Sequence, residues 1–159
     1  MTKTTLSPII AGAMNWGIWD KNLNTKEMNN MIHLCLENKI TTFDHAAIYG
    51  DYTTETDFGK AFKSSKIERK KIQLISKCGM IKPAPNSTQV KQYESSKESM
   101  IKSVDASLKN LQTDYLDVLL IHRPNPLMQV DEVAEAVSQL KKEGKILDFG
   151  VSNFTASQT

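Results

Sequence analysis

Short apolar runs alternate along this chain with stretches in which apolar residues recur every three or four positions. The runs are typical of buried strands, and the recurring pattern is typical of helices with one apolar face. Five runs predict strands at residues 9–12, 40–43, 72–76, 116–121 and 146–151. Four helical patterns lie between them, with inward-facing positions within 28–35, 58–62, 101–111 and 133–140. The predicted order is therefore strand–helix repeated four times, followed by a fifth strand.

Local signals mark where some of these elements begin and end. Asn24 with Glu27, and Ser95 with Glu98, have the spacing of helix capping boxes. Gly144 is placed to end the fourth helix. Residues 79–93 form a long polar stretch with prolines at positions 83 and 85. A loop of this length between a strand and a helix is more often functional or disordered than a plain connection.

Such alternation predicts parallel strands joined by right-handed helical crossovers. Two α/β folds compete. A doubly wound sheet of the flavodoxin type fits five strands and this chain length, whereas a (β/α)8 TIM barrel typically needs ~250 residues.

Two features favour the barrel. Residues 12–17 read Gly-Ala-Met-Asn-Trp-Gly, which is not the glycine-rich phosphate loop expected after the first strand of a doubly wound nucleotide binder. Thr155 and Gln158 have capping-box spacing at the end of the sequence, as if another helix were to follow. We therefore expect residues 1–159 to be the N-terminal part of a single barrel domain, supplying about five strands and four helices and ending before the last three strands. Open sheet edges would then allow self-association.

Composition narrows the class of protein. The 159 residues carry a net charge of +2, with 40% hydrophobic and 24% charged residues, as in ordinary soluble globular proteins. The scattered basic residues predict no nucleic-acid partner. The apolar run at 6–14 is far below the ~18 residues of a membrane span, and residues 1–7 lack signal-peptide features. We expect no membrane association and a cytoplasmic protein. Two cysteines make neither a disulfide framework nor a four-ligand zinc site, and no metal is expected.

Polar and aromatic residues follow every predicted strand. In a parallel barrel the carboxyl ends of the strands share one rim, where the chemistry gathers. The residues delivered to that rim are Asn15, Trp16, Asp44, Tyr49, Lys77, His122, Ser152 and Asn153.

This set suits proton transfer to a carbonyl oxygen. A phenol is a weak proton donor at neutral pH, and a nearby ammonium favours its ionised form. Asp44 would hold Lys77 charged by a charge-assisted hydrogen bond. Tyr49 would then act as the general acid, with hydride arriving from a nicotinamide. His122 could donate a hydrogen bond to the developing alkoxide and orient the substrate.

Several motifs resemble those of the aldo-keto reductase family. They are Asp-His-Ala-Ala-Ile-Tyr-Gly at 44–50, Ser-Lys-Cys-Gly at 76–79, the lead-in at 108–117, Leu-Leu-Ile-His-Arg-Pro at 119–124 and Gly-Val-Ser-Asn-Phe at 150–154. The match covers nearly the whole chain. His45 and the Arg-Pro pair after His122 resemble a branch of uncharacterised bacterial oxidoreductases.

The resemblance implies a (β/α)8 barrel and a reductase that prefers NADPH, with NADH as an alternative. It places a catalytic tetrad on Asp44, Tyr49, Lys77 and His122, and it implies that Asp44, Ser152 and Asn153 contact the cofactor. Trp16 would line the pocket of a small carbonyl substrate together with His122. An alternative hypothesis is a catalytically inactive half barrel that folds or dimerises without binding cofactor.

Overall fold

The computed structural model describes residues 4–83, 88 and 90–159, in which strands and helices alternate as the pattern predicts. In chain order the elements are β1 (Ile10–Gly12), α1 (Thr25–Glu37), β2 (Thr42–Asp44), α2 (Thr54–Ser65), β3 (Gln73–Cys78), β4 (Met80–Ile81), β5 (Gln92–Tyr93), α3 (Lys97–Leu111), β6 (Leu116–Ile121), α4 (Val130–Lys142) and β7 (Ile146–Val151). Single 3-10 turns lie at Arg69–Lys71 and Ala156–Gln158.

The main sheet has five parallel strands in the order β1-β2-β3-β6-β7, which is the order of the chain. In a doubly wound sheet the order of the strands instead reverses partway, so that a later strand lies on the far side of the first. The observed order therefore excludes that alternative and is the order of a partial (β/α)8 barrel, as expected.

The predicted start of the first helix is confirmed. The Asn24 side chain accepts hydrogen bonds from the backbone N–H groups of Lys26 and Glu27, both at 3.0 Å, and the Glu27 carboxylate accepts one from the Asn24 N–H at 2.9 Å. The prediction for α3 is wrong by one residue. Ser96 caps this helix, accepting from the Ser99 N–H at 3.4 Å. Ser95 is buried just before it.

The two ends of the stretch 79–93 are paired. Met80–Ile81 and Gln92–Tyr93 form a short antiparallel hairpin, so the prediction of a loop is wrong at both ends. Pro83 is described, whereas Pro85 lies outside the described residues. The hairpin stands at the carboxyl end of β3, where the rim was predicted.

The core lies between the sheet and the helices. Each helix contributes fully buried apolar side chains to it, such as Met28, Phe58, Met100 and Leu140. None of the helices in the described part of the chain combines the length and apolarity needed to cross a membrane. The edge strands of the described sheet leave Ile10 and Leu147 exposed at 42% and 48%.

At the amino end of the strands, Arg69 connects β3 with β6. Its guanidinium donates to the Asp117 carboxylate at 2.6 Å, to the Thr113 hydroxyl at 2.7 Å and to the Tyr115 carbonyl at 2.9 Å. The same Asp117 oxygen accepts the Leu74 N–H at 2.8 Å. Asp117 thus satisfies a mostly buried cation and a strand N–H at the end of the sheet opposite the rim.

Replacing Asp117 with alanine should destabilise the fold by about 3 kcal/mol, because it leaves the Arg69 charge without its carboxylate partner and the Leu74 N–H without an acceptor. Urea unfolding measures this difference. The matched control is Asp105→Ala, which removes a half-exposed partner of Lys145 and should cost no more than about 1 kcal/mol. Equal losses in the two variants would contradict the role assigned to the Arg69 network.

Candidate active site

The carboxyl ends of neighbouring strands bring the predicted residues together. Asp44 is the last residue of β2, and Lys77 is the penultimate residue of β3. His122 follows β6 directly, and its backbone N–H donates to the Cys78 carbonyl at 2.9 Å. Tyr49 lies in the loop that leaves β2. Because the strands are parallel and in register, all four side chains reach the same rim.

The ammonium of Lys77 is the centre of the site. It donates to both carboxylate oxygens of Asp44 at 2.7 Å and to the His45 carbonyl at 2.8 Å. It also lies 3.1 Å from the hydroxyl oxygen of Tyr49. An ammonium can only donate. The Tyr49 oxygen is therefore the acceptor in this contact, and the phenolic hydrogen stays available for another oxygen.

Tyr49 is held between two other rings. Its ring centroid lies 6.0 Å from that of His122 and 6.1 Å from that of Trp19, both in edge-on geometry. Lys77, at 7% exposure, and Tyr49, at 9%, are buried with His122. The hydroxyl of Tyr49 therefore has a fixed direction in a mostly desolvated setting.

His122 is a neutral imidazole in this setting. Burial, with the charges of Lys77, Arg123 and Lys91 adding to it, lowers its pKa to about 4. Its backbone carbonyl accepts a hydrogen bond from the Asn153 side-chain amide at 2.9 Å. Because the imidazole carries no charge near neutral pH, its role there is to donate or accept a hydrogen bond and not to supply an acidic proton.

His45 is a second buried histidine, placed directly after Asp44. Its ring packs edge-on against Phe58, with centroids 4.4 Å apart, and neither ring nitrogen has a hydrogen-bond partner among the described residues. Burial, with the Lys77 charge adding to it, lowers the pKa of His45 to about 3. This ring is therefore neutral as well, and only its backbone carbonyl contacts Lys77.

The two tryptophans take different positions. Trp16, predicted to line the substrate pocket, is 9% exposed and packs on Phe43 and Phe58 with centroids 6.1 Å and 6.2 Å away. Trp19 is 38% exposed and is the indole that contacts Tyr49. Its position after β1 was visible in the sequence, but nothing in the pattern separated it from Trp16. A substrate contact by Trp16 stays a prediction.

A buried carboxyl behind β3 was missed by the sequence analysis. Glu55 is 1% exposed and accepts a hydrogen bond from the Ser76 hydroxyl at 2.6 Å. Burial raises the pKa of Glu55, opposed by hydrogen bonds from Ser76, Ser107 and Asn110. Ser76 precedes Lys77 on the strand and points to the opposite face. Glu55 therefore fixes the strand from behind without touching the tetrad.

The loops after β1 and β2 meet at one hydroxyl, that of Thr54 at the start of α2. A β-carbon on Gly17 would lie 2.3 Å from this oxygen, and one on Gly50 would lie 2.4 Å from it. Gly50 also has a positive φ of 57°. Both glycines are therefore required for the close approach of these loops.

Ser152 and Asn153 follow β7 beside His122. The Asn153 amide donates to the His122 carbonyl and, at 2.8 Å, to the Ser152 hydroxyl. This leaves the Asn153 side-chain oxygen and the Ser152 hydroxyl hydrogen to bind a ligand. One acceptor and one donor fit a primary carboxamide such as that of a nicotinamide. No group of three or more potential metal ligands occurs among the described residues.

Comparison with known proteins identifies one family that matches this chain. The model of the Aldo/keto reductase family matches residues 8–159. Oxidoreductase YdhF of Escherichia coli is 43% identical over 90% of this chain and 48% of its own length. The uncharacterized oxidoreductase YcsN of Bacillus subtilis is 46% identical over 90% of this chain and 48% of its own.

Among solved structures, the holo form of aldo-keto reductase AKR11C1 from Bacillus halodurans superimposes with a TM-score of 0.78 and 29% identity, covering 94% of this chain and 47% of that one. The chain thus spans about half the length of the curated relatives it matches.

Acidification should destabilise the fold through the two buried histidines. Their pKa values of about 3 and 4 in the folded chain lie below the ~6.5 of an unfolded histidine. Between those limits the unfolded chain binds more protons. The free energy of unfolding should therefore fall as pH drops below ~6.5, by about 1.4 kcal/mol per pH unit for each histidine.

Urea unfolding of a His122→Gln variant across this pH range tests the direction of the effect. The free energy of unfolding should change less steeply with pH in this variant, by the contribution of one histidine. His33→Gln is the control, because it removes a histidine that is exposed on α1. Identical slopes in the two variants would refute the neutral buried form of His122.

Proposed function

This chain belongs to the aldo/keto reductase family, and we propose from that premise that it forms the N-terminal part of a complete (β/α)8 barrel that reduces aldehydes or ketones to alcohols with NADPH, or alternatively NADH. The family includes proteins described as oxidoreductases. The activity of the complete protein, the direction of the reaction, the nucleotide and the roles of the residues are our proposal. The role of Tyr49 as proton donor, on which the reaction depends, is supported by one observation, the 3.1 Å contact between the Lys77 ammonium and the Tyr49 hydroxyl.

The proton needed at the carbonyl oxygen comes from Tyr49 in this proposal. Its oxygen accepts from Lys77, so its hydrogen is free to be donated to a substrate oxygen. As the proton leaves, the adjacent ammonium stabilises the negative charge that forms on the phenolate. Asp44 keeps that ammonium charged and fixed through two 2.7 Å contacts.

His122 contributes orientation. A neutral imidazole can donate one N–H to the carbonyl oxygen, and the ring stands 6.0 Å from Tyr49 between centroids, close enough for both to face one small group. Because the pKa of His122 is lowered to about 4, the imidazole is not an acid at neutral pH. This leaves the phenol as the proton donor of the pair.

The reduced nicotinamide supplies a hydride when bound, and Ser152 and Asn153 would hold its carboxamide, with Asp44 also at the cofactor. The Asn153 backbone has a φ of 63°, in the left-handed region. Its side chain is held by the His122 carbonyl. The bond between Asn153 and His122 ties the cofactor-facing residue to the substrate-facing one.

A second candidate is a half barrel without catalytic activity that associates through its sheet edges. The exposed Ile10 and Leu147 on the edge strands favour it. Size-exclusion chromatography, a thermal melt followed by circular dichroism and an NADPH-binding measurement on the 159-residue chain discriminate the two. A dimer with a cooperative melt and no NADPH binding supports the half barrel, whereas a monomer that binds NADPH tightly contradicts it.

Tyr49→Phe should reduce carbonyl reduction by ~10²–10⁴-fold, because it removes the proton donor and leaves the surrounding groups in place. The protein to assay is a completed barrel, in which residues 1–159 are joined to the C-terminal half of YcsN. Oxidation of NADPH in the presence of 4-nitrobenzaldehyde gives the rate.

The matched control is Tyr115→Phe, since Tyr115 lies at the opposite end of the strands against Arg69. A folded completed barrel with no turnover, or full activity in Tyr49→Phe, would contradict the proposed function.

A further inference from the structure

Three loops at the rim converge on the indole of Trp19. The indole itself belongs to the loop after β1. Lys82, from the segment that follows β4, places its ammonium 4.7 Å from the centre of the Trp19 ring. Asp51, from the loop after β2, forms an ion pair with that ammonium. The indole therefore has neighbours from two loops that are separate in sequence from its own.

Asp51 anchors the cation that covers the indole. A hydrogen bond from Lys82 holds the pKa of Asp51 below its ordinary value, and the two side chains form an ion pair. An indole whose face is covered by an anchored cation has less freedom to rotate.

Tyr52 completes the connection through the backbone. Its hydroxyl accepts from the Lys82 N–H at 2.7 Å and donates to the Lys82 carbonyl at 3.0 Å. Two hydrogen bonds to the same residue fix the main chain of Lys82 and so the root of its side chain. We call Asp51, Tyr52 and Lys82 the clasp.

The backbone of the clasp is strained where it is anchored. Asp51 and Tyr52 have φ values of 52° and 72°, directly after the positive φ of Gly50. Side chains other than glycine rarely adopt this region, and where they do the surrounding structure holds them there, often at functional sites. Here the conformation turns both side chains towards Lys82.

The clasp is not part of the tetrad but is connected to it through Trp19. Trp19 lies under the Lys82 ammonium, and its ring centre is 6.1 Å from that of Tyr49. The indole is 38% exposed, so part of it is accessible beside the phenol. The orientation of this ring therefore sets the shape of the space beside the proton donor.

We propose that Asp51, Tyr52 and Lys82 are positioning residues that fix the Trp19 indole as one wall of the substrate site, so that the site favours carbonyl compounds with a flat apolar substituent. The substrate preference rests on the function proposed above, whereas the fixed position of the indole does not. A fixed indole offers a preformed apolar surface, and preorganisation of this kind lowers the cost of binding. Small aliphatic carbonyls gain little from it.

The position of the indole can be tested on the 159-residue chain without any activity. In a Trp16→Phe background Trp19 is the sole tryptophan. Asp51→Asn and Lys82→Met should each raise the quenching of its fluorescence by acrylamide about twofold, because the first variant releases the cation over the ring and the second removes it. Tyr52→Phe should change it in the same direction.

The control for this arm is Asp105→Asn, which alters another partly exposed ion pair, with Lys145, far from the rim. Its quenching should equal that of the Trp16→Phe parent. Unchanged quenching in both Asp51→Asn and Lys82→Met, with circular dichroism showing both folded, would overturn the clasp.

Specificity is tested in the completed barrel. Asp51→Asn and Lys82→Met should each raise KM for benzaldehyde about tenfold while changing KM for propanal and both kcat values by no more than about twofold. Equal changes for the two aldehydes would overturn the substrate preference even where the quenching result supports the clasp. If no version of the barrel turns over, the proposed function fails and the quenching result still decides the position of the indole.

Discussion

The buried ammonium of Lys77 is the constraint on which this site depends. A cation with 7% exposure is costly unless oxygens surround it. Here four of them do, two from Asp44, one from the His45 backbone and one from Tyr49, at 2.7 to 3.1 Å. The parallel pairing of β2 with β3 places Asp44 within reach of Lys77. The need to surround Lys77 with oxygens therefore specifies both the register of β2 against β3 and the position of the Tyr49 hydroxyl.

The surroundings of that cation are adapted to its charge. Two imidazoles stand close to it, and both are neutral because burial and the positive charge of Lys77 lower their pKa values to about 3 and 4. A charged imidazole at either position would repel the ammonium in a setting of low polarity. The neutrality of His45 and His122 thus preserves stability near neutral pH. For His122 it also leaves a hydrogen-bonding group beside the phenol without a competing acid.

Much of this arrangement was predictable from sequence because parallel strands impose it. Once the strands at 40–43, 72–76 and 116–121 are identified, Asp44, Lys77 and His122 have to meet at one end. Side-chain direction within loops carries no such periodic signal. The pattern could not tell that Trp16 enters the core while Trp19 meets Tyr49, nor that Asp51 and Tyr52 turn towards Lys82.

The errors at α3 and at 79–93 have physical causes of the same kind. Ser95 has the capping-box spacing to Glu98, but its side chain is buried in the fold and Ser96 caps the helix instead. The hairpin of Met80–Ile81 with Gln92–Tyr93 has too few residues to show alternation. Glu55 was missed because a carboxylate in a helix is usually solvated. Only the packing shows that it is buried behind β3, where the Ser76 hydroxyl donates a hydrogen bond to it.

The hydroxyl of Thr54, enclosed by Gly17 and Gly50, has a consequence for engineering. Loop exchange is a common way to move specificity between barrels, and it treats each loop as an independent cassette. In this protein the loops after β1 and β2 both pack against Thr54. A transplanted sequence with any larger residue at position 17 or 50 would therefore collide with the first turn of α2. A graft has to carry both glycines and the threonine as one unit, or replace all three together.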